Sequence, residues 1–215
     1  MRILLTLSIA LLLGGRSGLH AQYNERGTVH LGLGIALGAY GTEYEQTITL
    51  FGIPFLTRST GGAATITAPL EFHYGLADIF SLGVYAEGGR YIDSVETKRN
   101  TITAFGLQPR FYLVDRDRFS WMAGLQMGAT TLRIDDPVST GSPKSLLRGG
   151  HFGINTGVGF RFGETVGLQV MLRYLAHNLP LREYEFMGQQ LDLDLVDAEL
   201  RARGVMLQTS LHLRL

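Results

Sequence analysis

Apolar side chains recur at every second position along most of this chain, the period of a β-strand with two unlike faces. Val29, Leu31, Leu33, Ile35, Leu37 and Ala39 alternate with Thr28, His30, Gly32, Gly34, Ala36 and Gly38. The same alternation returns over residues 66–74, 80–88, 105–113, 121–129, 152–162, 166–174 and 205–215. Eight strands are therefore predicted. Three of the connections (74–80, 113–119 and 162–166) are short and carry the turn residues Gly75, Asp78, Asp115, Asp117 and Gly163. The others, around 41–64, 91–101, 132–149 and 176–203, read as long polar loops. Short turns at one end and long loops at the other describe an up-and-down meander.

Such a meander closes either around a greasy interior in water or inside a greasy exterior in a membrane. The polar face decides. It carries Glu71, Glu87, Arg110, Arg161, Arg173 and Arg214, with Gln108, Gln126, Asn155, Gln169, Gln208 and many glycines, while the apolar face holds no charge in any strand. An eight-stranded barrel is just wide enough for side chains to fill it, so small residues there make room for long polar ones. A charge facing lipid at mid-depth costs about 2–4 kcal/mol, so turning the charges inward is what a membrane demands. The predicted fold class is all-β: an eight-stranded antiparallel up-and-down transmembrane β-barrel. Phe72, Tyr74, Phe80, Phe111, Phe119, Trp121, Phe160 and Phe162 crowd towards the short turns, as an interfacial girdle would. Pro69 and Pro109 cannot donate to a ladder, and a bulge or a broken pairing is expected at each.

No segment has the eighteen or more apolar residues of a membrane helix. Residues 1–21 combine a basic start, a short apolar run and a small residue, Ala21, which predicts a secretory signal peptide ahead of a single domain over 22–215. Its removal takes away Arg2 and Arg16. The whole chain balances 19 basic against 19 acidic residues, so no overall field favours nucleic acid. The absence of cysteine excludes disulfides, thiolate metal sites and a cysteine nucleophile.

The leader, the eight alternating strands, turns such as Tyr74-Gly75-Leu76-Ala77-Asp78 and the terminal strand Leu211-His212-Leu213-Arg214-Leu215 resemble the OmpA/OmpX-like group of small outer-membrane β-barrels. The resemblance implies the outer membrane of a Gram-negative cell, a periplasmic N-terminus and long loops facing outward. It also implies membrane lipid and lipopolysaccharide as surroundings, the barrel-assembly machinery as a transient partner, and a monomer. Members usually end on an aromatic residue that this machinery reads, whereas this chain ends on Leu215.

Fold alone does not assign a function. Counted from the strand starts, Glu87 and Arg173 share one depth, and Glu71 shares a lower one with Arg110 or Arg161. Two polar layers plugging the lumen are expected, with Glu87 beside Arg173. No serine stands at useful spacing from His30, His73 or His151, and Ser81 and Ser210 lie inward on separate strands, so no catalytic residue is assigned. The histidines are scattered, and Asp192, Asp194 and Asp197 lack the glycine and closing glutamate of a calcium loop, so no metal or cofactor is assigned either. The gly-x-gly pairs Gly32/Gly34 and Gly157/Gly159 are strand glycines without a following helix, not a nucleotide fingerprint. The expected function is a structural or surface-interaction role through the outer loops. The alternatives are a narrow channel for small solutes and a lipid A-modifying enzyme. Two outer segments invite attention: residues 47–55 alternate as an extended hairpin would, and residues 191–200 alternate apolar with acidic, as an added strand or a short helix.

Overall fold

The computed structural model describes residues 22–51, 53–93, 99–135, 144–186, 189–190, 193 and 196–215. The predicted leader, Asp192 and Asp194 lie outside the described residues. The chain runs through β1 (Val29–Leu50), β2 (Ile53–Ala77), β3 (Phe80–Asp93), β4 (Arg99–Asp115), β5 (Phe119–Asp135), β6 (Lys144–Arg161), β7 (Val166–Phe186), the two-residue β8 (Gln189–Gln190) and β9 (Val196–Arg214). All pairings are antiparallel, in the order β6-β5-β4-β3-β2-β1-β9-β7, and β6 pairs β7 to close the ring. Beyond this ring, β8 adds one short rung to β7. The result is an eight-stranded up-and-down barrel with no helix among the described residues long and apolar enough to cross a membrane.

Every strand turns its predicted apolar face outward. Leu33, Ile35, Leu70, Phe105, Phe152, Ile154, Leu172 and Leu211 are exposed around the wall, while Glu71, Arg110, Gln126 and Arg173 are buried inside. Exposed apolar area on this scale has no place in water and belongs in lipid. Phe80 packs on Phe111 and Phe119 on Phe160 near the short turns, and Trp121 joins them on the same rim.

The long loops are not what their polarity suggested. The eight strands of the ring run from 14 to 25 residues and continue well into all four segments. β1 and β2 stay paired up to Leu50 opposite Ile53, so most of segment 41–64 is a hairpin, turned at Phe51, whose φ of 52° lies in the left-handed region that such a tight turn needs. Residues 196–200 are strand rather than helix. The cause is a change of phase. On β9 the outward, odd-numbered residues are apolar at Leu213, Leu211, Leu207 and Val205 and charged above it, at Arg203, Arg201, Glu199 and Asp197, while the inward Ala202, Leu200, Ala198 and Val196 are apolar. On β5, Leu125 and Met127 face out but Leu132 and Ile134 face in, with Arg133 and Asp135 outside. Where the wall leaves lipid for water, the same two-residue period carries the opposite meaning.

The prolines break pairing without a bulge. Between β1 and β2 the ladder lapses at Gly34 and Ile35 opposite Pro69 and Ala68, then resumes in the same register, while Pro69 stays paired with Glu87 on β3. Pro109 likewise pairs Leu82 on β3 and leaves a lapse towards β5. Each proline turns its missing N–H to one neighbour only. The register shifts fall elsewhere, at Gly75/Ala77, Tyr112/Val114 and Leu146/Leu147.

Candidate functional site

From the turn end upward, the lumen is filled level by level. The mouth is closed by residues 22–28, which no sequence signal announced. Tyr23 inserts between His30, on which it stacks at 5.4 Å, and Tyr112, over Met122 and Met171. The backbone amides of Tyr23 and Asn24 donate to the Asp115 carboxylate at 2.7 and 3.2 Å, and Asn24 Nδ2 donates to the carbonyls of Ala77 and Asp78. Arg161, expected in the lower polar layer, stands at this rim instead, donating to the Gln22 carbonyl at 3.3 Å. As the last residue of β6 it lies one step beyond Gly159, whose missing side chain makes room for the Tyr23 ring.

Above the mouth, Arg110 donates to Glu71 at 2.8 Å, to Gln108 at 3.1 Å and to Gln169 at 3.2 Å, with Arg110 and Glu71 both buried. One level higher, Arg173 holds Glu87 through two hydrogen bonds, 2.9 and 3.1 Å, and also donates to Gln126 and Gln208. Gln208 joins the layers, accepting from Arg173 and donating to Glu71. The structure thus brings Glu87 to Arg173 and Glu71 to Arg110, and keeps Arg161 apart. Charges so deep in protein persist only when paired and further hydrogen-bonded, as these are.

All five described histidines point into the lumen. His30, His73 and His212 lie low, and His212 Nε2 is 3.5 Å from Glu71. His151 and His177 lie above the Glu87–Arg173 layer, where the Thr130 hydroxyl contacts Nδ1 of both, at 2.8 and 3.1 Å, and Tyr85 bonds His151 Nε2. Among the described residues no group is placed to hold a metal ion. The inward serines bond elsewhere: Ser81 donates to Tyr112, and Ser210 accepts from Gln208.

The top of the lumen is apolar, a departure from the filled polar lumen expected. Ile102, Leu132, Leu147, Leu179, Leu181 and Leu200 pack into one buried cluster, with Leu132 wholly inaccessible. These are the inward residues of the phase-changed region. Above them the β1–β2 hairpin projects further. Residues 53–62 are exposed on both faces and, among the described residues, pair only with β1, because the last β2–β3 pair is Ala63 with Asp93. Phe51 at the tip is fully exposed, and Ile53, Phe55 and Leu56 are more than half exposed.

No protein-family model matches this chain, and no curated protein resembles it in sequence. Known structures do match. The crystal structure of the outer membrane protein OprG from Pseudomonas aeruginosa superposes with a TM-score of 0.65 at 12% identity, covering 89% of this chain and 97% of that one. The fold is that of a small outer-membrane barrel. The outer membrane protein AlkL, determined in lipid bilayers by solid-state NMR, matches with a TM-score of 0.55 at 10% identity, over 94% of this chain and 97% of that one. The grouping with small outer-membrane barrels thus stands on backbone architecture, together with the exposed apolar belt and the buried charges. At such identities no side-chain role carries over, and the lumen is interpreted on its own geometry.

Proposed function

We propose that this outer-membrane barrel is a sealed wall element that works at the cell surface through its β1–β2 hairpin. The observation that carries the reading is the hairpin itself. From Ala39, the last outward apolar residue of β1, to the tip is a rise of roughly 30 Å at 3.3 Å per residue and ordinary barrel tilt. The tip is apolar, and one edge of β2 is unpaired among the described residues over 53–62. Apolar groups and strand edges held out in water are costly unless a partner covers them, and strand addition is the interaction they favour. The lumen supports the same reading. A cork at the mouth, two ion-pair layers and an apolar cluster stand in series across the bore.

Two measurements test this. Refolded protein in planar bilayers should show no stepwise openings; stable openings altered by Glu87→Ala would replace the sealed wall with a gated channel. Photocrosslinking in whole cells from p-benzoylphenylalanine in place of Phe51 should capture a surface partner, whereas the same probe at Arg116 on the turn end should not capture it. Equal capture from both ends, or none from Phe51, would remove the hairpin's role.

A further inference from the structure

We propose that the outer face of β9 and β1 carries a binding site for a phosphorylated glycolipid headgroup, centred on Arg203. This rests on the reading above, which places the loop end of the wall in the outer leaflet.

Arg203 is the first outward residue on β9 above the apolar belt, next after Val205, which pairs Ala39 on β1 and Tyr174 on β7. Arg201 follows on the same face. Across from them the wall is bare: Gly41 pairs Arg203 and also Gly62 on β2. A side-chain carbon added at Gly41 would meet nothing nearer than the Arg203 carbonyl, 3.9 Å away, and one at Gly62 nothing nearer than 3.7 Å. These glycines are not needed for close strand packing. Gly41, with Gly61 opposite Thr42, lines a recess of about 310 Å³ bounded by Arg201, Arg203, Glu43 and Thr60.

The two arginines differ. Arg201 is committed to Glu199 through two hydrogen bonds, 3.1 and 2.9 Å. Arg203 makes no hydrogen bond or ion pair among the described residues, so its planar fork of donors is open towards the recess. A guanidinium is the side chain best suited to grip a phosphate with two parallel bonds. Glu43 and Thr60 stand beside it as groups that bond sugar hydroxyls. Directly below, Leu37, Leu207 and Tyr174 present the apolar surface on which acyl chains lie. Phosphate, hydroxyl and hydrocarbon requirements are stacked in the order a phosphorylated glycolipid presents them, with the charge at the water boundary.

The test uses the whole protein, first shown to be folded by heat-modifiable mobility and inserted into phosphatidylcholine vesicles. Failure at that stage would count against the barrel reading and not against the site. Native mass spectrometry of the detergent-extracted protein then follows its titration with diphosphoryl lipid A. Arg203→Gln should weaken the tightest bound copy about tenfold, the equivalent of one charged hydrogen bond. Gly41→Val, which fills the recess and leaves all charges in place, should weaken it comparably. Arg148→Gln, an outward arginine on β6, should leave binding unchanged. Phosphate-free lipid A should bind no better than phosphatidylcholine. Undiminished binding by Arg203→Gln, or equal binding of the phosphate-free lipid, overturns the proposal. Complete displacement by millimolar inorganic phosphate would assign the recess to soluble phosphate and overturn the lipid assignment.

Discussion

Glu87 and Arg173 show what one residue means inside this barrel. Breaking a buried pair strands its partner's charge, a loss of about 3–5 kcal/mol. Glu87→Gln is therefore expected to lower the unfolding free energy in lipid vesicles by that amount, while adding Arg173→Met should recover most of it; urea titration followed by gel mobility checks both. Asp115, beyond the belt at the turn end, behaves differently. Burial pushes its carboxyl from an ordinary 3.8 up to about 6, against the opposing pull of the Asn24 and Tyr23 amides. The folded protein thus keeps a proton that the unfolded chain has lost, and stability falls as pH rises between those two values. Asp115→Asn should flatten that fall, seen as a difference between wild-type and variant urea midpoints that changes only within the window. Counting positions along strands was enough to pair Glu87 with Arg173, because depth in a barrel follows residue number. It failed for Arg161, whose partner comes from residues 22–28, a segment with no periodicity to read.

At the scale of the element, the lesson lies in the phase of the alternation. Leu207 and Leu200 are both apolar and both in β9, yet one faces lipid and the other the lumen. A reading that seeks one apolar face stops where the phase changes and reports a loop. What the strand has done is leave the bilayer, where water outside makes the interior the apolar side. The eight belt segments were plain in the sequence for the complementary reason, since lipid permits only one face to be apolar and only one to be charged. Among the described residues the β2 arm of the β1–β2 hairpin rises from this boundary without a β3 partner over 53–62, while the β1 arm stays on β9 as far as Ile48. Replacing residues 43–60 by an Asn-Gly turn is expected to leave heat-modifiable mobility intact and to end co-purification of the partner that the Phe51 probe captures from the full-length protein. Loss of folding in that variant would show that the upper wall helps to close the barrel.

Taken as a whole, the molecule is a ring whose neighbours are nearly all sequential. The exception is the seam between β1 and β9, which joins the two ends of the described chain over residues 30–48 and 196–214. Loop closure over such a separation is the entropically expensive step in forming the ring. Nothing local in either strand marks the seam; it follows only from counting eight strands and requiring that no edge remain. One outward residue gives access to this closure. The chain has a single tryptophan, and Trp121 stands on the turn-end rim with its indole N–H bonded to Thr156 across the β5–β6 pair. It is therefore a built-in optical gauge: its emission should shift to shorter wavelength on insertion, and lipids brominated near the carbonyl should quench it more strongly than lipids brominated near the chain end. The approach of the protein to its finished depth can be timed by light alone, with no label added to the wall.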